Sequence, residues 1–265
     1  MCNDWFSIGP LTVHGYGTCI ALGLLLALFM ASARAKKKGL SDDICYGIVF
    51  CAAVFGFLGA KIMYCIVEWD EFIANPRTFL SSSGFVVYGG ITGGILACWI
   101  YCIIKKVRFL DYIELVMPSV ALAQGFGRLG CFFAGCCYGR ETDSWIGITF
   151  SNSNYAPNGV KLIPTQLISA GADFLNMALL LFISKKTQKK GTVTACYVIF
   201  YSIGRFFIEM LRNDDRGAVG KLSTSQFYGI FSLAIGVGLL FWAMYHKEKE
   251  PDKEVEKGPE IEEIK

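Results

Sequence analysis

The chain has 265 residues, 54% of them hydrophobic and 18% charged, with a mean hydropathy of +0.45. That balance excludes an ordinary soluble domain, in which about a quarter of the residues are charged. The net charge of +3 hides a split: residues 247–265 carry five Lys against eight acids, so this tail holds −3 and the rest +6.

Seven apolar stretches approach or exceed the roughly 20 residues a helix needs to cross a hydrocarbon core. In chain order they run over 16–34, 45–67, 84–104, 114–134, 165–184, 192–211 and 224–245. The expected fold class is all-α: a polytopic membrane protein whose seven transmembrane helices form one domain over residues 1–246. Residues 247–265 have no apolar face and are expected to form a solvated, disordered cytoplasmic tail. The opening "MCNDWFSIGPLTVHG" lacks the basic n-region and small-residue cleavage site of a secretory signal, so the first span is expected to stay in the mature protein.

Lys and Arg gather in alternate loops, which sets the expected orientation. Arg34 and Lys36–Lys38 follow span 1, Lys105, Lys106 and Arg108 follow span 3, and Lys185, Lys186, Lys189 and Lys190 follow span 5. Those loops are expected in the cytoplasm, with the N-terminus outside and the C-terminus inside. The eleven Cys scatter through apolar runs without paired spacing, as small buried hydrophobes do.

A charge at mid-span costs on the order of 3 kcal/mol, so each one marks a functional candidate. Four stand out: Lys61, Arg128, Arg205 and Glu209. Arg128 lies fourteen residues from the inner start of span 4, and Arg205 thirteen from that of span 6. At a rise of about 1.5 Å per residue both stand roughly 20 Å up, in the outer half of the membrane. Along "IGRFFIEMLRNDD", Glu209 falls one turn above Arg205 and Arg212 a further turn out, an alternating ladder on one helix face. Tyr88 in "GFVVYGGITGG" and Tyr16 in "HGYG" are expected at a similar height.

Arg205 and Glu209 alone are equally well explained by mutual neutralisation. The second arginine, with no acid of its own nearby in sequence, tips the reading to an anionic ligand. Arginine suits a phosphate because its fork holds two oxygens at once, and Arg128 is placed to meet a phospholipid headgroup entering sideways from the outer leaflet. The glycines of "YGGITGG" and "GFGRLG" let backbones approach one another or a bulky ligand. "GFGRLG" also imitates a dinucleotide loop, but it sits in a span and not after a soluble strand. No nucleic acid is expected as a partner; the lipid bilayer is.

At these residues the chain resembles the bacterial prolipoprotein diacylglyceryl transferases. The matches run from end to end: "YG" opening span 1, "GAK" at 59–61, "YGGITGG" where the family has a His-Gly-Gly element, and "GRLGCFFAGCCYGR" on its signature. "PTQL" at 164–167 and "GRFFIEMLR" at 204–212 complete them. The resemblance implies a seven-span enzyme of the bacterial plasma (inner) membrane. It moves the diacylglyceryl group of phosphatidylglycerol onto the lipobox cysteine thiol of a preprolipoprotein, the first step of lipoprotein maturation, and releases glycerol phosphate. It also implies that Arg128 and Arg205 are the essential arginines, Glu209 the acid one turn later, Gly139 the signature glycine and Tyr16 the first-span tyrosine. Three positions depart from the family pattern: Tyr88 stands for its histidine, Cys131 for asparagine and Cys136 for glutamate.

The expected catalytic set is Arg128, Arg205, Tyr88 and Glu209. Tyr16, Lys61, Gly89, Gly90, Gln124, Cys131, Gly139 and Arg212 are expected to bind substrate. Such a transfer needs a thiolate and a stabilised leaving phosphate, and both benefit from a positive field. Tyr88 serves as base only if the arginines lower its pKa, and otherwise orients the phosphate; orientation is favoured. His14 and His246 flank spans 1 and 7 and suit anchoring. Cys136 and Cys137 are weighed as nucleophiles below an oxidised pair or plain packing. Neither cofactor nor metal is expected, since "CFFAGCC" lacks a second ligand pair. The competing readings are a transporter or lipid-binding protein that holds the anion unreacted, and a diverged transferase with another acceptor.

Overall fold

The computed structural model describes residues 4–8, 11–77, 84–187, 189–213, 218–219 and 222–246. Seven helices are long and apolar enough to cross a membrane. They are α1 (Gly15–Lys37), α2 (Asp42–Val67), α4 (Val87–Ile104), α5 (Phe109–Ala134), α6 (Thr165–Lys186), α7 (Thr192–Leu211) and α8 (Thr224–Tyr245). A short helix, α3 (Trp69–Ala74), follows α2. The strands are brief antiparallel pairs: β1 (Asp4–Ile8) with β2 (Leu11–His14), β3 (Ile148–Thr149) with β4 (Lys161–Leu162), and β5 (Ala218–Val219) with β6 (Leu222–Ser223). The tail expected over 247–265 lies outside the described residues.

Helix α5 is the core of the bundle. Helices α1, α6 and α7 pack around it, α2 pairs with α4, and α8 leans on α7. Buried side chains cover α5 along its length, whereas α2 and α8 leave most of theirs outward. Those outward faces carry Phe50, Phe57, Ile62, Phe231 and Phe241, the apolar surface a lipid-facing helix presents.

Three local devices set the frame. Gly59 and Gly89 bring α2 and α4 so close that a β-carbon on Gly89 would sit 2.4 Å from the Gly59 carbonyl oxygen. Glu114, buried in α5, accepts hydrogen bonds from the backbone N–H groups of Gly191 and Val193, each at 2.7 Å. It thereby satisfies donors that the start of α7 would otherwise bury unpaired. Gly135, at φ 76°, ends α5 in the left-handed conformation that glycine adopts without strain.

The expected spans match in number and nearly in bounds. Helix α5 begins at Phe109, five residues earlier than the expected start at 114, and carries Glu114 inside as the α7 cap. Helix α4 starts three residues late, since Val86 is extended and donates its N–H to the Ala60 carbonyl.

Candidate active site

Helices α5, α6 and α7 enclose a cavity lined by Arg128, Ser169, Asp173, Asn176, Tyr201, Gly204 and Arg205. Arg205 Nη2 lies 3.0 Å from Glu209 Oε2 and donates to Ser225 Oγ of α8, also at 3.0 Å. The ion pair is dry, with side chains 16% and 5% exposed. Arg205 Nη1 is buried without a hydrogen-bond partner, and so is the side-chain amide of Asn176. Arg128 enters the same cavity from α5 and forms no ion pair among the described residues. The cavity thus brings two guanidinium groups, that of Arg205 already paired with Glu209, to the carboxylate of Asp173, with the Arg205 Nη1 donor left over. A ligand rich in acceptors and carrying negative charge complements it.

The remaining expected residues divide into groups. Tyr88, 38% exposed on α4, packs its ring 4.3 Å from that of Tyr228 on α8 and lies within electrostatic reach of Arg205 and Glu209. Gln124 Oε1 accepts from the Tyr197 hydroxyl at 2.8 Å, tying α5 to α7 beside the cavity. Lys61 stands near the end of α2, donates to the Gly84 carbonyl at 3.3 Å, and sits over the rings of Tyr64 and Phe85. Gly89 and Gly90 face the backbone of α2 and do not line the cavity.

Tyr16 belongs with the signature loop. Its backbone oxygen and ring touch the Gly130 position, and its electrostatic neighbours are Cys131, Cys136, Cys137 and Arg128. The loop is pinned from α6: Thr165 Oγ1 donates to the Cys137 carbonyl and Gln166 Nε2 to the Cys136 carbonyl, each at 2.7 Å. Gly139 has no room for a side chain, because a β-carbon would meet the Ile163 carbonyl oxygen at 2.7 Å. Cys137 is held below the ordinary thiol range by hydrogen bonds with Cys131, Cys136 and Arg212, while the Cys131 and Cys137 thiols push Cys136 up.

Arg212 requires a correction. It is not a third rung on the α7 ladder, for α7 ends at Leu211 and Arg212 turns into extended backbone at φ −84°, ψ 153°. There it bridges Gly139, while the neighbouring Arg140 N–H donates to the Leu211 carbonyl at 2.9 Å. The strand-like pairing takes over where the helix stops, and it delivers the guanidinium to Cys137.

Comparison with known proteins fits this geometry. Residues 3–242 match the family described as prolipoprotein diacylglyceryl transferase. The chain is 45% identical over 233 residues to the phosphatidylglycerol–prolipoprotein diacylglyceryl transferase of Clostridium tetani (strain Massachusetts / E88), covering 88% of this chain and 94% of the relative. It is 44% identical over 229 residues to the transferase numbered 2 of Clostridium perfringens (strain 13 / Type A), covering 86% and 90%. To the Staphylococcus carnosus (strain TM300) transferase it is 33% identical over 261 residues, covering 96% and 94%.

The chain belongs to the prolipoprotein diacylglyceryl transferase family. It is a multi-pass membrane transferase, and the resemblance read from its motifs holds across nearly its whole length.

In this member of the family, sequence reasoning overlooked Asp173, Asn176, Ser169, Tyr201 and Ser225. Asp173 was within reach of the rule that found the arginines, being an acid well inside the fifth span, in "GADFLN". It is the carboxylate that Arg128 lacks in its own neighbourhood, and its electrostatic partners are Arg128 and then Arg205. Asn176, Ser169 and Ser225 carry no charge and have no spacing that marks them.

Proposed function

We propose that this protein transfers the diacylglyceryl group of phosphatidylglycerol to the lipobox cysteine thiol of preprolipoproteins in the bacterial plasma (inner) membrane. One observation carries the reading: Arg128 and Arg205, from two different helices, meet in one cavity where Arg205 Nη1 is buried without a partner. A phosphodiester anion fits that demand, with two non-bridging oxygens for two guanidinium groups. As the acceptor sulfur attacks the glyceryl carbon, the carbon–oxygen bond to phosphate breaks and the leaving glycerol phosphate gains a second negative charge. In a low-dielectric site, fixed cations aimed at that charge stabilise the transition state more than the ground state. Glu209 and Ser225 hold Arg205 in place, and Tyr88 orients the phosphate from the α4 side.

Release of glycerol phosphate tests the reading. Phosphatidylglycerol vesicles containing the protein should release it in proportion to added lipobox peptide, and not with the Ser analogue. Release independent of peptide would indicate a phospholipase. Lipid binding without release would indicate a carrier that holds the anion unreacted.

A further inference from the structure

Three thiols converge where α5 gives way to the loop after it. The Sγ atoms of Cys131, Cys136 and Cys137 all lie within 4.8 Å of one another, and none is in a disulfide. Their meeting is built into the backbone. Cys131 sits on the last turn and a half of α5, Gly135 reverses the chain at φ 76°, and Cys137 adopts φ 61°. A left-handed conformation is costly for a residue with a β-carbon, and such strain collects at functional sites. The hydrogen bonds from Thr165 and Gln166 to the Cys137 and Cys136 carbonyls hold the turn in that form. Cysteines acting only as small hydrophobes require neither the strain nor the clamp.

The donor set is specific. Three sulfurs with no oxygen among them suit a thiophilic ion. Zinc–sulfur bonds of about 2.3 Å place tetrahedral ligands about 3.8 Å apart, so the thiols have to close by about 1 Å at most. Three thiolates around a divalent ion leave one negative charge, and Arg212, hydrogen-bonded to Cys137, balances it. Three protein ligands also leave the fourth tetrahedral position open, the arrangement of catalytic rather than structural zinc. That position lies close to the phosphate cavity, because Cys131 is three residues from Arg128 on one face of α5.

We propose that Cys131, Cys136 and Cys137 bind a thiophilic divalent ion, Zn²⁺ by charge and softness, and that its open position takes the acceptor cysteine thiol. The second half rests on the transferase reading above; the first does not. On binding the ion, the acceptor thiol gives its proton to solvent and remains a thiolate at neutral pH. Its sulfur then bonds to the glyceryl methylene as the carbon–oxygen bond to phosphate breaks. The bonding pair leaves with glycerol phosphate toward Arg128 and Arg205. The product thioether is neutral and a weak ligand, so it departs and the ion is unchanged.

The test uses the full-length protein in detergent, kept reduced and anaerobic, stripped with chelator and titrated with Co²⁺ alone. One equivalent should raise a thiolate-to-cobalt charge-transfer band. The band should be lost in Cys131→Ser, Cys136→Ser and Cys137→Ser and kept in Cys65→Ser. The corresponding Ala variants serve wherever a Ser variant fails to fold by circular dichroism. A lipobox peptide should then shift the cobalt spectrum while its Ser analogue does not. No thiolate band in folded, reduced wild-type protein overturns the metal site, and so does a band indifferent to all three substitutions. A band that ignores the cysteine peptide overturns the acceptor role. Glycerol phosphate release measured on the same preparation separates the two claims. Cobalt binding without transfer removes the transferase reading and leaves the metal site, and transfer by protein that never binds metal removes the metal site alone.

Discussion

Arg205 divides its guanidinium between two tasks. Nη2 holds Glu209 and Ser225, while Nη1 is buried without a hydrogen-bond partner. A lysine keeps the charge but cannot do both, since its single ammonium replaces a planar fork. Arg205→Lys and Arg128→Lys should therefore insert normally and lose most transferase activity, about 100-fold or more in kcat, as expected for removing a donor aimed at developing charge. Near-wild-type turnover in both variants would show that a point charge suffices. Tyr88 makes a smaller contribution on the orientation reading. Tyr88→Phe should slow transfer about tenfold, the worth of one hydrogen bond of roughly 1.4 kcal/mol, with the pH profile unchanged in shape. A loss of 10²–10⁴-fold with a displaced alkaline limb would instead make it the base. At this scale the arginines and Glu209 were legible because charge inside an apolar run is conspicuous. Asn176 and Ser225 were not, because single uncharged polar residues are ordinary in membrane helices. Tyr228 was hidden for another reason: its partner Tyr88 lies on a helix 140 residues away in the chain, and no periodicity encodes that contact.

Helices here are placed by what their backbones meet. The α2–α4 pair depends on glycine facing glycine, so Gly89→Val forces a side chain into the Gly59 carbonyl. Backbone cannot yield as a side-chain tip does, and the variant should lose at least the 1–3 kcal/mol typical of overpacking, seen as a lower melting temperature in detergent. Unchanged melting would mean that the helices part without cost. Glu114→Ala leaves the Gly191 and Val193 donors buried without their acceptor. It should destabilise by about 1–3 kcal/mol per orphaned group, again read by melting, with the phosphate site chemically unaltered. The spans themselves were readable from length and hydropathy, since the hydrocarbon thickness fixes both. Their true ends were not: the expected start at 114 falls on Glu114, a buried cap inside α5, and Arg212 looked helical while belonging to a strand-like bridge with Gly139. Both depend on partners far away in sequence.

For the whole molecule, the distribution of Lys and Arg predicts which loops face outward. Ser151→Cys, in the exposed loop before α6, should react with an impermeant thiol reagent added to intact cells. Lys105→Cys, at the end of α4, should react only after lysis. Both reacting from one side would contradict the orientation and the outer-leaflet entry that rests on it. On that orientation the cavity between α5, α6 and α7 and the thiol cluster at the end of α5 lie together toward the outer surface, the side on which the proposed lipid donor and secreted acceptor meet. The most direct measurement of this account is the mass of a lipobox peptide incubated with phosphatidylglycerol and the purified protein. The prediction is a gain equal to one diacylglyceryl group, in thioether linkage on the cysteine, strongly reduced in the Arg128→Lys and Arg205→Lys variants. An unmodified peptide in the presence of folded, lipid-binding wild-type protein would contradict it.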